Sequence, residues 1–345
     1  MSASNPVLAV VMRSGRVESW HRGAVVVCHG DEIVLVEGEA NALVFARSAT
    51  KPFQALPFLE RGLASRLGVS VAEIAVMCAS HDGAPVHVDA VRSLLRRGAL
   101  REDQLGCGPQ TPFDTDTRLE LIRRGEKPGK VHHNCSGKHA GFLHLARECG
   151  DDLANYLDPS CASQHEVQAA MAAMAGLAAP SEVGLDGCGA PTFVLPLVAL
   201  ARAFAALGNP ANLPAARAAA CRTIVDAAGR EPVLVAGERR LCTTLLRTWP
   251  GRVFAKNGAE GVYALAIGPD VRRDRWPKGL GIAVKIDDGA ERGYQPVVVD
   301  LLRALGLFDG GAVPAPLERF HRLPLHNSQQ RLVGDVHCAV EWSVR

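Results

Sequence analysis

Strand-like segments stand near the two ends of this sequence, and helical segments fill the stretch between them. From residue 6 to residue 46, short valine-rich runs alternate with turns, and CHGDE between two such runs indicates a β-hairpin. Later in the chain, GRVFAKNGAEGVYALAIG, GLGIAVKIDDG and RLVGDVHCAVEW are typical of further strands. This order argues against a regular βαβ repeat. It predicts an α+β fold, with one antiparallel sheet built from both termini and a helical insertion.

Between the two groups of strands, alanine and leucine recur at helical spacing. The segments with this pattern are FQALPFLERGLASRLG, PVHVDAVRSLLRRGAL, SQHEVQAAMAAMAGL, TFVLPLVALARAFAAL and AARAAACRTIVDAAG, and QPVVVDLLRALGL follows the later strands. There is no internal repeat or low-complexity linker, so we expect residues 1–345 to form a single domain of two lobes. The sheet lobe would take about 1–46 and 250–345, and the helical lobe about 47–249.

Charge and hydropathy exclude several classes of protein. The net charge is only +2 and few aromatic residues accompany the basic ones, so a nucleic-acid surface is not expected. The N-terminus lacks a basic leader, and no run approaches the roughly 20 apolar residues of a membrane span. We therefore expect a cytoplasmic protein without a membrane partner. Its ten cysteines would then be reduced, and we place four of them in the core: Cys28, Cys78, Cys221 and Cys242.

Lysine is rare in this chain, with seven lysines against 31 arginines. A lysine amine can lose its proton near neutral pH and an arginine cannot, so each lysine is worth examining. In RSATKPF, Ser48 and Lys51 lie three residues apart, which puts them on one face if a helix or 3₁₀ turn begins there. A desolvated Lys51 can then act as the base for Ser48. The simpler interpretation is a helix start with an exposed lysine.

Two later segments extend this pattern. ASHDG places Ser80 at the end of an apolar run, and FAKNG places Lys256 at the end of a strand. Ser-x-x-Lys, a second serine and Lys-x-Gly, in that order, resemble the arrangement in penicillin-binding proteins and serine β-lactamases. In such an arrangement one serine attacks while the other groups relay a proton. For Ser80 alone, the alternative is a loop serine that caps its own turn.

A second cluster lies in KVHHNCSGKHAG and GLDGCGAP. These segments hold Cys135, Lys138, His139 and Cys188, and thiolate and imidazole groups are ligands that zinc prefers. The spacing is not that of a zinc finger and does not choose the ligands. The residues alone favour His139 as the nitrogen ligand, and the alternative is a glycine-rich loop with two buried cysteines.

Taken in order, RSATKPFQALP, ASHDG, HHNCSGKHAGFL, GLDGCGAPTF and FAKNGAEGVYA resemble the signature segments of Rhizobium-type (class 3) L-asparaginases. The resemblance extends from the first strands to about residue 290. It implies a serine β-lactamase-like fold, a homodimer and hydrolysis of L-asparagine to L-aspartate and ammonia. By similarity, the two serine–lysine pairs are Ser48 with Lys51 and Ser80 with Lys256.

The resemblance also implies which residues bind zinc and substrate. The zinc ligands would be Cys135, Lys138 and Cys188, which replaces His139 as a ligand; the substrate pocket would include Arg47, His139 and Asp186. Other functions stay open: a glutaminase or penicillin-binding-like amidohydrolase, a hydrolase in which zinc-bound water attacks, or a sensor without catalysis. The residues also leave open whether Ser48 or Ser80 attacks.

Overall fold

The computed structural model describes residues 5–344. The strands are β1 Val7–Arg13, β2 Arg16–His29, β3 Glu32–Glu37, β4 Leu43–Phe45, β5 Glu182–Leu185, β6 Pro191–Pro196, β7 Val253–Asn257, β8 Val262–Ile267, β9 Leu280–Ile286, β10 Arg322–His326 and β11 Leu332–Cys338. The helices are α1 Lys51–Gln54, α2 Leu56–Glu60, α3 Leu63–Arg66, α4 Val71–Met77, α5 Pro85–Arg97, α6 Thr115–Arg123, α7 Ser136–Cys149, α8 Ala162–Ala175, α9 Leu197–Gly208, α10 Ala215–Arg230, α11 Pro232–Ala236, α12 Leu241–Thr248, α13 Glu291–Ala304 and α14 Ala315–His321.

The larger sheet has eight strands, in the order β10-β11-β1-β2-β9-β8-β7, and β3 also pairs with β2. Every pairing in it is antiparallel. The first strand lies beside the last, with Ala9 opposite Cys338. This is the α+β arrangement expected from the order of the elements, with helices α1 to α12 between β4 and β7. The two-lobed division and the likeness to serine β-lactamases stay predictions.

The long strand β2 joins the two halves of this sheet. Its first residues pair with β1, and its later residues pair with both β3 and β9. The run from Ala24 to Cys28 is buried without interruption. Helix α9 packs against β2, β8 and β9, while α13 packs against β1, β9 and β11. Central strands covered on both faces carry a continuous apolar run instead of an alternating one, as this segment does.

A second sheet, in the order β4-β6-β5, was not expected from the sequence. We predicted a helix from Thr192 onward, but Pro191–Pro196 is strand and the helix begins at Leu197. The prediction was wrong because a short apolar run fits both periods, and Pro196, with its extended ψ of 139°, marks the true start. The segment containing β4 was assigned to the larger sheet, but β4 pairs with β6.

The cysteines and the membrane prediction can be compared with the structure directly. Over residues 5–344 all ten cysteines are free, and Cys28, Cys78, Cys221 and Cys242 are buried as predicted. In the same range, every helix is too short or too polar to cross a bilayer.

Candidate active site

The segment that carries the first serine–lysine pair follows β4. Arg47–Thr50 forms a 3₁₀ turn, and Lys51 begins α1. A following proline disfavours the helical region, but Lys51, which precedes Pro52, has φ −56° and ψ −38°. The turn instead places its strain at Arg47, whose φ is +50°. A left-handed non-glycine residue costs on the order of 1–3 kcal/mol and is common at functional sites.

Lys51 is directed at the second serine. Its Nζ donates to Ser80 Oγ at 3.1 Å and to the carbonyl oxygen of Ala79. Both Lys51 and Ser80 are buried. Ser48 lies one turn before Lys51, is half-buried, and its hydroxyl takes part in none of the hydrogen bonds of residues 5–344. The expected Ser48–Lys51 hydrogen bond is therefore absent from this part of the chain.

Lys256 is a second lysine that contacts the Ser80 hydroxyl. It lies on β7, its side chain is fully buried, and its Nζ donates to Ser80 Oγ at 2.7 Å. The same amine donates to the carbonyl and side-chain oxygens of Asn257 at 2.9 and 3.2 Å. The structure thus brings three of the four predicted groups into one hydrogen-bonded chain, Lys51–Ser80–Lys256, with Ser48 beside it in sequence.

The electrostatics of this chain favour a neutral amine. Burial, followed by the charge of Lys51, lowers the pKa of Lys256 to about 7. Desolvation penalises an ammonium group, and a second cation nearby penalises it further. Lys256 can therefore gain and lose a proton near neutral pH, as a proton relay requires.

The predicted zinc ligands also lie together. Cys135 immediately precedes α7, Lys138 lies in its first turn, and Cys188 lies in the loop between β5 and β6. Lys138 Nζ donates to Cys188 Sγ at 3.1 Å, and Cys135 Sγ lies 2.9 Å from Asn134 Oδ1. The interaction between the two thiols lowers the pKa of Cys135 well below its ordinary value and raises the pKa of Cys188.

Lys138 differs from Lys256 in its neighbours. Burial lowers the pKa of Lys138, but Cys188, Cys135 and Asp186 outweigh it and the net shift is upward. Two thiols and one amine that meet in this way are a donor set that fits zinc once their protons are lost. Residues 5–344 contain no group of three or more His, Cys, Asp or Glu suited to a metal. This set, which includes a lysine, lies outside that definition, and zinc stays a prediction.

The predicted substrate residues Arg47 and Asp186 form an ion pair with each other. Arg47 Nη2 and Nε both lie 2.8 Å from Asp186 Oδ1. Because Asp186 precedes Cys188 by two residues, this ion pair connects the serine–lysine segment with the cysteine loop. A substrate that used both groups would have to replace this contact.

His139, the third predicted substrate residue, is fully buried. Its Nδ1 lies 2.7 Å from the hydroxyl of Tyr156, which in turn accepts the backbone N–H of Gly106. Since the tyrosine oxygen already accepts one hydrogen bond, its own proton is available for Nδ1, and that arrangement assigns the imidazole proton to Nε2. That buried Nε2 has no hydrogen-bond partner within residues 5–344. Burial keeps the pKa of His139 well below its ordinary value, so the ring is neutral.

Arg240 contacts this site and was missed in the sequence. Its Nη1 donates to the carbonyl oxygen of Ser80 at 3.0 Å, and its Nη2 lies 3.0 Å from Asp82 Oδ1. In GERRLC nothing distinguishes Arg240 from the exposed Arg239. The only signal was Asp82 in ASHDG, since a carboxylate next to an apolar run needs a cation.

Comparison with known proteins agrees with the chemistry of these residues. The chain belongs to a family of amidohydrolases. Its residues 9–338 match the model of the L-asparaginase II family, and the chain is a member of that family. A comparison with curated protein sequences gives no significant match.

Several solved structures overlap this chain loosely. A crystal structure of Mglu has TM-score 0.41 and 15% identity, covering 83% of this chain and 67% of that chain. A Bacillus glutaminase has TM-score 0.43 and 13% identity, covering 83% and 91%. A probable glutaminase from Bacillus subtilis complexed with 6-diazo-5-oxo-L-norleucine has TM-score 0.39 and 13% identity, covering 83% and 84%. In other Mglu structures, the present protein spans 57% to 63% of the length of the Mglu chain. Such overlap is too loose to transfer a substrate.

Proposed function

We propose that this protein is an L-asparaginase that hydrolyses L-asparagine to L-aspartate and ammonia through an acyl-enzyme. The observation that carries the proposal is the position of Ser80 Oγ, which lies 3.1 Å from Lys51 Nζ and 2.7 Å from Lys256 Nζ. A buried hydroxyl that is hydrogen-bonded to two amines can relay a proton between them, and Lys51, three residues from Ser48 in sequence, would link this relay to the Ser48 hydroxyl.

Ser48 is the nucleophile in this proposal. It is half-buried and its hydroxyl has no hydrogen bond to compete with a substrate, whereas Ser80 is buried and accepts from two amines. As Ser48 Oγ attacks the side-chain amide carbon, Lys51 passes one of its protons through Ser80 to the neutral amine of Lys256 and takes up the Ser48 proton in its place. Ser80 and Lys256 carry a proton to the departing ammonia, and water then hydrolyses the acyl-enzyme. Ser80 is the next candidate nucleophile.

The oxyanion would be stabilised at the 3₁₀ turn. Ser48 is the second residue of that turn, where backbone N–H groups have no partner within the helix. An N–H group aimed at the developing oxyanion is worth about 3–4 kcal/mol in other serine hydrolases.

Recognition of the amino acid would use the ion pair of Arg47 and Asp186. Arg47 is suited to the α-carboxylate, since a planar guanidinium matches a planar anion. Asp186 is suited to the α-ammonium group. Separating the two groups breaks one ion pair, and pairing each of them with the opposite charge of a zwitterionic amino acid forms two. The positive φ of Arg47 sets the direction in which its side chain leaves the backbone toward Asp186.

Zinc would be held by Cys135, Lys138 and Cys188. When bound, it would supply a fixed positive charge that orders the cysteine loop, and through that loop Asp186. The homodimer and the cytoplasmic location remain part of the proposal.

An ammonia-release assay with L-asparagine and L-glutamine, with metal analysis on the same batch of purified protein, tests the proposal. One methylene changes binding in a fitted pocket by about 10–200-fold, and we expect kcat/KM to favour L-asparagine by a ratio in that range. A preference for L-glutamine would make the protein a glutaminase. Tight binding of asparagine without turnover would make it a sensor.

A further inference from the structure

The backbone of Ser80 is held at both of its polar groups, by α11 and by the short loop that follows α11. Its N–H donates to the carbonyl of Val235 at 3.0 Å, and its carbonyl accepts from Arg240 Nη1 at 3.0 Å. Ser80 itself lies in a loop after α4, where neither helix nor sheet would fix its position. The hydroxyl between the two lysines thus depends on contacts more than 150 residues away in sequence.

Arg240 is itself held in place. Its second nitrogen lies 3.0 Å from Asp82 Oδ1, and its guanidinium lies over the ring of Phe113, 5.3 Å from the centroid. The chain makes room for this carboxylate at Gly237, where a Cβ would lie only 1.7 Å from Asp82 Oδ2. Burial raises the pKa of Asp82 and the charge of Arg240 opposes that shift, so the two groups are electrostatically linked.

We propose that Arg240 is a positioning residue for Ser80. Its guanidinium group bridges the Ser80 carbonyl and the Asp82 carboxylate, and this bridge holds the Ser80 hydroxyl at hydrogen-bond distance from both lysine amines. Among the hydrogen bonds of residues 5–344, none joins the Arg240 side chain to the Ser80 hydroxyl or to the amines of Lys51 and Lys256. The inference rests on the proposed function, because the spacing matters only if Ser80 transfers protons.

The test compares Arg240→Met and Arg240→Lys with Arg239→Met, a matched change at the exposed neighbouring arginine. A displacement of about 1 Å in a catalytic group costs about 100-fold, so Arg240→Met should lower kcat by about that factor. KM should stay within about threefold, because substrate contacts are untouched. Arg240→Lys restores the charge and one of the two contacts, and we expect partial rescue to about a tenfold loss. Arg239→Met should equal the parent.

Crystal structures of the parent and of Arg240→Met separate this inference from the proposed function. We expect the Ser80 Oγ–Lys256 Nζ distance to lengthen from 2.7 Å to beyond hydrogen-bond range in the variant only. If the parent releases no ammonia from either amide, the proposed function fails, but this distance still decides whether Arg240 positions Ser80.

An Arg240→Met variant with kcat within about twofold of the parent and an unchanged distance would overturn the inference. So would equal losses in Arg240→Met and Arg239→Met. If Arg240→Met does not fold, Asp82→Asn takes its place, since it keeps the arginine and weakens its anchor. We then expect kcat to fall by about threefold at constant KM, and an unchanged kcat would count against the inference.

Discussion

Two fully buried lysines in this protein have opposite pKa shifts. Lys256 lies among a hydroxyl, an amide and the cation Lys51, and its pKa falls to about 7. Lys138 lies among Cys188, Cys135 and Asp186, and its pKa rises despite burial. Desolvation opposes the ammonium form in both places, so the neighbours decide the direction. The serine–lysine region holds an amine ready to exchange a proton, whereas the cysteine region holds one that gives up its proton only to a strong competitor such as a metal.

The largest effect is expected from Ser48→Ala, which asks whether the serine–lysine region supplies the nucleophile. Removing the nucleophile of a serine hydrolase costs well over about 10³-fold in kcat. We expect ammonia release to fall to background while the melting temperature stays at the parental value. A variant with more than about 5% of parental activity would exclude Ser48 as the nucleophile and move the role to Ser80.

Lys256→Met tests the proton-exchanging amine and should cost about 100-fold or more, the typical range for general acid–base groups. In the parent we expect kcat/KM to rise with pH through about 7, because the amine accepts a proton only when neutral. A pH profile that is flat between pH 5 and 9 would contradict this role.

Lys285→Met is the matched control, because Lys285 also lies on a strand of the sheet but donates to the Glu260 carbonyl, away from the cluster.

The pH dependence of the folding stability offers an independent check on Lys256. The folded pKa of Lys256 lies below the ordinary lysine value of 10.5, so the unfolded chain binds more protons between about pH 7 and 10.5. The folded parent should therefore gain stability as pH rises through that window, and Lys256→Met should lose that gain.

A smaller effect is expected from removing metal in the cysteine region. Changes around a metal site typically cost about 10–100-fold, and we expect chelation or Cys188→Ser to lower ammonia release by that amount without abolishing it. Metal analysis should show loss of zinc in parallel. Cys221→Ser, at a buried cysteine on α10, is the control. Complete loss on chelation, together with an active Ser48→Ala, would instead favour attack by zinc-bound water.

The smallest effect is expected from Asn257→Ala, which refines the environment of Lys256. The Asn257 side-chain oxygen accepts from Lys256 Nζ at 3.2 Å and so stabilises the ammonium form. Its removal should lower the pKa of Lys256 by up to about one unit and move the acidic limb of the kcat/KM profile to lower pH. A shift to higher pH would mean that the amide does not act as an acceptor there.

The residues of both regions were largely predictable from the sequence, but their connections were not. The scarcity of lysine drew attention to Lys51, Lys138 and Lys256. Spacing predicted that Lys51 would reach its neighbour Ser48, yet the lysine turns to Ser80, which only the tertiary fold brings near. Arg240 carried no local signal, because its role depends on a distant carbonyl.

The fold shows the same limit. The sheet from both termini follows from the order of the elements, and valine-rich runs give its central strands. The small sheet was missed because β4 and β5 have only three and four residues, too few to show a period. The third strand, β6, was taken for helix because its apolar run continues into α9 without a polar break.

The pairing of β1 with β11 has a consequence for synthesis. All groups of the two lysine regions lie at or before Asn257, but β1 lacks a neighbour on one side until Leu332–Cys338 has left the ribosome. In the nascent chain, the residues of both lysine regions are therefore synthesised while the edge of the sheet at β1 is still unpaired. Contacts between residues so distant in sequence also form slowly. Truncation of the last strand should leave that edge free to pair with other chains, so that such a product aggregates.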